Sequence, residues 1–179
     1  MIILMGIAGA GKSMQGKILA DELGHPWIST GEVLRVLITG RRRQDMVEGK
    51  LLSDDEVIRV VEKVLELIDT EQEFVMDGFP RTEVQVDWML NQIALGRLHK
   101  PVVFNLEIAE EVIRKRLKDR NRPDDTEESI AKRFAEYERA TRPIIAYMRK
   151  KGIPVIDINA DQTPRAVHDQ IVNLLKEQR

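Results

Sequence analysis

The run Gly6-Ile7-Ala8-Gly9-Ala10-Gly11-Lys12-Ser13 constrains this chain more than any other stretch. It satisfies the pattern G-x-x-x-x-G-K-[S/T], the signature of a loop that wraps phosphate groups. An apolar run at residues 1–5 precedes it and a helix-compatible run at 14–23 follows, which is the strand–loop–helix setting the pattern needs. Glycines at 6, 9 and 11 let the backbone curl with its N–H groups inward, free of Cβ clashes. The start of the next helix adds partial positive charge. Lys12 carries a full charge to the outer phosphates, and Ser13 offers a hydroxyl to Mg²⁺ or a phosphate oxygen. A glycine-rich turn with a merely solvated lysine would not require this flanking context.

The 179 residues, 42% of them hydrophobic, suit one globular domain with a real core and room for a small inserted subdomain. A net charge of −2 gives no global field for nucleic acid, so a bound polyanion must be held by local arginines. With aromatics at 4%, a base-stacking nucleic-acid platform is not expected either. The chain has no cysteine, which excludes disulfides, thiolate metal sites and thiol catalysis. His25, His99 and His168 have no ligand spacing to one another and read as solvated structural residues. No apolar stretch approaches the roughly 20 residues of a membrane span. Residues 1–5 lack a basic leader and run straight into the loop, so they read as a buried first strand, and the expected compartment is the cytoplasm.

Five short β-rich runs, at 2–5, 26–28, 74–77, 102–106 and 154–158, alternate with helical patterns. That alternation predicts an α/β fold: a parallel sheet covered on both faces, with its ligand beyond the C-terminal strand ends. The loops after Met5, Ile28, Asp77 and Leu106 should therefore meet at one cleft. Between the second and third runs lies a strand-free stretch with two or three helices. Ser53-Asp54-Asp55-Glu56 reads as a capping box there, followed by a stripe of Val57, Val60, Val61, Val64 and Ile68. Residues 30–60 are thus a small helical insertion, and 119–126 a polar loop between arginine-rich helices. Pro143 should end or kink the long helix that follows.

The third run ends in Asp77, placed to hold Mg²⁺ beside the loop, directly or through water. An ordinary strand-ending aspartate that caps a turn is the competing reading. Gly78-Phe79-Pro80-Arg81 then forms a rigid turn aiming Arg81 at the cleft, and Arg35 follows the second run. Arginine forks match phosphate oxygens two at a time. Arg41, Arg42, Arg43, Arg114 and Lys118 read instead as solvated faces.

With these residues in view, the chain resembles the adenylate kinase family of nucleoside monophosphate kinases. The resemblance rests on Gly6–Ser13, Ser29-Thr30-Gly31-Glu32-Val33-Leu34-Arg35, Asp77-Gly78-Phe79-Pro80-Arg81 with Gln85, Arg122-Pro123-Asp124-Asp125 with Arg133, and Asn159-Ala160, in family order. It implies a three-layer P-loop fold with a five-stranded parallel sheet. The core would be 1–29, 61–118 and 127–179, with 30–60 binding the monophosphate and 119–126 a very short lid. It implies ATP binding by Gly9, Ala10, Gly11, Lys12, Ser13, Met14 and Arg120, and AMP binding by Thr30, Arg35, Gly78, Arg81, Gln85, Arg122 and Arg133. Lys12, Arg81, Arg120, Arg122 and Arg133 would be catalytic, with Mg²⁺ near Ser13 and Asp77 and no structural zinc. Thr30 and Gln85 would read adenine, although Thr82-Glu83-Val84-Gln85 is also a capping box and both roles can coexist. The family pattern departs at Ser13 and Met14, where Gly then Thr are usual, at Ala8, where proline is common, and at Asn121, where glycine is usual.

The expected reaction is in-line transfer of the ATP γ-phosphoryl group to AMP by a cytoplasmic monomer. A monophosphate has its second pKa near 6 and needs no general base, only positioning and charge neutralisation. The nearest alternative is a UMP/CMP kinase. A P-loop kinase of a small-metabolite alcohol, with Asp77 as base, and a non-catalytic ATP-binding protein are the others. Nucleic-acid and membrane partners are not expected.

Overall fold

The computed structural model describes residues 1–47, 52–120 and 125–178, with backbone alone at residues 42, 45–47 and 120. Its strands are β1 (Ile2–Met5), β2 (Trp27–Ser29), β3 (Val75–Asp77), β4 (Val102–Glu107) and β5 (Val155–Asn159). All pair in parallel, in the order β2-β3-β1-β4-β5. The helices are α1 (Lys12–Leu23), α2 (Thr30–Leu37), α3 (Gly40–Val47), α4 (Asp54–Leu65), α5 (Glu83–Ala94), α6 (Glu110–Arg120), α7 (Glu127–Glu136), α8 (Arg142–Lys150) and α9 (Pro164–Glu177). This is the three-layer α/β arrangement with a five-stranded parallel sheet that the alternation predicts.

The centre of the sheet explains why β1 carries an unbroken apolar run. All four of its residues are buried. Ile3 and Met5 face a core shared with Val57, Val61, Val86, Met89, Ile144 and Met148. Ile2 and Leu4 face the opposite core, with Leu19, Ile113, Leu117, Val167 and Ile171. Side chains alternate between faces, so a strand covered on both must be apolar throughout. β1 lies between β3 and β4, where the chain's crossovers change direction, so the loop after it opens at the switch point of the sheet.

That loop leaves β1 through a tight contact. A Cβ on Gly6, whose φ is +133°, would stand 2.6 Å from the Leu106 carbonyl oxygen. Gly6→Ala should therefore cost about 3 kcal/mol, adding left-handed strain to a backbone collision. A urea titration checks it, as a lowered midpoint at unchanged slope.

Local details differ from the sequence reading in physically plain ways. β2 begins at Trp27 rather than Pro26 and runs through Ser29. Proline has no N–H for a ladder, and Ser29 is held in register by Asp77. The stripe on α4 includes Ile68, but the helix ends at Leu65 and Ile68 packs on the core from the turn beyond. The long helix does break at Pro143, and the break lies in the turn just ahead of it. Residues Tyr137–Thr141 form a π turn in which Arg142 N–H bonds to the Tyr137 carbonyl, and Pro143 lies in the first turn of α8. Proline cannot donate to the carbonyl four residues back, so the ladder widens ahead of it. His168 is buried rather than solvated. It faces α1 and its Nε2 lies 2.7 Å from a Glu22 carboxylate oxygen. Among the described residues, no helix is long and apolar enough to cross a membrane.

Candidate active site

A cavity of about 720 Å³ opens at the C-terminal edge of the sheet. Four separate turns build it: the loop after β1, the start of α2 after β2, the turn after β3, and the segment after β5. Gly9, Ala10, Gly11, Lys12, Ser13 and Met14 line it, and so do Thr30, Arg35, Asp77, Gly78, Arg81, Gln85 and Arg133. Arg120 ends α6 by its backbone. Arg122, with Asn121, Pro123 and Asp124, lies outside the described residues.

Lys12 opens α1, and its ammonium donates to the Ile7 carbonyl at 2.8 Å. The charge is thus folded over the loop whose N–H groups a phosphate would face. Gly9 lies tight against α6, since a Cβ there would come within 2.9 Å of Ile113 Cγ2 and 3.1 Å of Leu117 Cγ. The loop therefore rests directly on the helix that leads to residue 120.

Arginines gather at the other end. A Cβ on Gly31 would stand 3.7 Å from Arg35 Nη1 and 3.8 Å from Arg81 Nη2, so two guanidinium groups converge over one bare backbone position. Arg81 Nε donates to the Gly78 carbonyl at 2.8 Å. Arg133 is held by Asp125, whose side chain is only 1% exposed, at 2.9 Å. Burial pulls the Arg81 guanidinium below its ordinary value. Asp77 pushes it back up, and Arg35 and Arg133 push it down again. A cation held among cations and away from water is the electrostatic mark of an anion site.

Asp77 is buried, and both its oxygens accept bonds from β2. Trp27 Nε1 donates to Oδ2 and Ser29 Oγ to Oδ1, each at 3.0 Å. The Trp27 ring fits because α1 has glycine opposite it: a Cβ on Gly16 would stand 2.7 Å from Trp27 Nε1. The carboxylate is thus fixed in orientation, with one lone pair left on each oxygen. Together with Ser13 it offers hard oxygen donors only. Among the described residues no cluster of three or more ligating side chains occurs. A donor set this small suits Mg²⁺, which keeps several waters and takes other oxygens from substrate phosphates.

Two buried polar atoms at the cavity, Thr30 Oγ1 and Gln15 Oε1, have no hydrogen-bond partner among the described residues. Gln85 is also buried. Its backbone N–H is capped by Thr82 Oγ1 at 3.3 Å, while its amide oxygen accepts from the backbone N–H of Arg81 rather than of Thr82. The capping box is therefore half formed, and the side chain belongs to the cavity wall.

Arg116, Gln162, Pro164 and Val167 line the cavity without having been singled out by sequence. Arg116 bonds the carbonyls of Ala160 and Gln162 at 3.1 and 3.3 Å. It sits in the run Arg114-Lys115-Arg116, where charge alone looks like a solvated face. The available signal was its phase, one turn before Arg120 and beside the buried Ile113 and Leu117.

Comparison with known proteins accords with this geometry. The adenylate kinase family model matches residues 4–153. The chain is 34% identical over 179 residues to an adenylate kinase of Corynebacterium aurimucosum, covering 97% of each. It is 35% identical to an adenylate kinase of Rhodopirellula baltica, covering 97% of this chain and 94% of the relative. An adenylate kinase 1 of a Nostoc species is 35% identical, with 95% of each covered.

Proposed function

The chain belongs to the adenylate kinase family and is a nucleoside monophosphate kinase, and from that premise we propose that it moves the γ-phosphoryl group of ATP to AMP, yielding two ADP. The observation that carries the residue roles is the convergence of Arg35 and Arg81 over Gly31 at one end of a cavity whose other end is the phosphate loop. That arrangement supports the binding of two polyanions end to end.

Each side chain then has a task. The loop from Gly9 to Ser13 and Lys12 hold the triphosphate, with Arg116 and the wall at Gln162, Pro164 and Val167 receiving its base. Arg35 and Arg81 grip the monophosphate and place its oxygen in line with the phosphorus it attacks. Arg133, held by Asp125, faces the charge that spreads over the transferring group, and Arg120 and Arg122 join it from the lid. Ser13 and Asp77 would hold Mg²⁺, directly or through water, and the ion would supply positive charge to the phosphates. Residues 30–60 close over the monophosphate and residues 119–126 form the short lid. Closure excludes water and suppresses hydrolysis. By the same reading the enzyme is a cytoplasmic monomer.

Thr30, whose buried hydroxyl has no partner among the described residues, and Gln85 support adenine on the monophosphate side. Steady-state turnover with AMP, UMP, CMP and GMP tests the assignment. AMP should lead by at least about tenfold in kcat/KM. Equal or better turnover of a pyrimidine nucleotide would make the chain a UMP/CMP kinase instead.

A further inference from the structure

The Gln85 amide is held from two sides by groups that allow only one orientation. Its Oε1 accepts from the backbone N–H of Arg81 at 2.8 Å, and its Nε2 donates to Asp54 Oδ1 at 2.8 Å. A backbone N–H can only donate and a carboxylate can only accept. Turning the amide round would set NH₂ against N–H and oxygen against a carboxylate oxygen, so both contacts become repulsive. Asp54 is fixed in turn, because the same Oδ1 accepts from Thr82 Oγ1 at 2.7 Å. Gln85 is 2% exposed and lines the cavity. Each of its amide atoms keeps one further valence, an N–H on nitrogen and a lone pair on oxygen.

We propose that Asp54, at the first position of α4, is a positioning residue that holds the Gln85 amide the right way round for a 6-aminopurine and the wrong way round for a 6-oxopurine. The inference rests on the reading that Gln85 meets the base of the monophosphate. Adenine offers an acceptor at N1 beside a donating amine at position 6. Hypoxanthine and guanine offer the reverse, a donor at N1 beside an accepting oxygen. An amide free to turn serves either edge, and one that cannot turn serves only one. Asp54 does this from the helical insertion without touching the nucleotide, so the segment proposed to close over AMP also sets which base it accepts.

The test uses kcat/KM for AMP and for inosine monophosphate in the parent, Asp54→Asn and Asp54→Ala. Asparagine is nearly isosteric but can itself turn and donate, so it removes the constraint while keeping the shape. Both variants should lower the AMP-to-inosine-monophosphate ratio by about tenfold or more, through a raised KM for AMP with the KM for ATP unchanged. Loss of a purely structural contact at the start of α4 would slow both nucleotides alike and leave the ratio intact; that outcome overturns the proposal. If Asp54→Ala unfolds, Asp54→Asn carries the measurement. The adenine reading is judged separately, on the parent alone: a parent that favours a pyrimidine monophosphate over AMP sinks both.

Discussion

Lys12→Met is expected to lower turnover by at least about 10³ while the protein stays folded. The ammonium of Lys12 rests 2.8 Å from the Ile7 carbonyl, so in the free protein it is held over the phosphate loop. A phosphate arriving there meets a charge already in place, and the lysine exchanges a neutral acceptor for an anionic one. Methionine keeps the length of the stem and its helix propensity at the start of α1 and removes only the charge. The loop's shape comes from its glycines and its packing on Ile113 and Leu117, which the change does not touch. ADP formation from ATP and AMP, with a melting curve beside it, separates the two effects. Unimpaired turnover in a folded variant would remove the loop from the mechanism.

Arg81→Met should reduce kcat/KM for AMP by about 10³, and Arg81→Lys should recover little of it. Lysine restores a point charge but not the fork, and the fork is what Nε fixes by donating to the Gly78 carbonyl. The same substitution should not lower the melting temperature. Arg81 is pulled below its ordinary value by burial and by Arg35 and Arg133, so its charged form is disfavoured in the folded protein relative to the unfolded one. Without a bound anion the charge of this arginine works against folding, and removing it relieves a like-charge cluster. Activity should fall where stability holds or rises, the usual relation at a site built for a ligand. A variant that melts markedly earlier, with the KM for ATP raised as much as that for AMP, would show Arg81 to be a structural residue instead.

The parts of the molecule that depend on local chemistry were legible before folding was considered. The apolar run of β1, the glycines of the loop and the rigid turn carrying Arg81 each state their own conformation, and the cavity gathers the loop with Thr30, Arg35, Asp77 and Gln85. What could not be read depends on partners distant in sequence. Trp27 looks like a strand-starting aromatic, and only the fold sets its indole on Asp77. Asp54 looks like a helix-starting carboxylate, and only the approach of α4 to α5 sets it on Gln85. Arg116 is hidden among basic neighbours because charge patterning does not reveal which rung of a helix meets a backbone carbonyl. His168 was misjudged for the same reason: its partner Glu22 lies 146 positions away.

The contact between Gly16 and the Trp27 indole ties two positions that no local pattern connects. Either can change only with the other's consent. A side chain at 16 displaces the ring and unfastens the carboxylate beneath it, while a smaller residue at 27 leaves a gap that glycine cannot fill. Lineages descending from this chain would therefore exchange the two together or keep both, and a grafted phosphate loop that brought alanine at 16 would arrive without the space its new neighbour occupies.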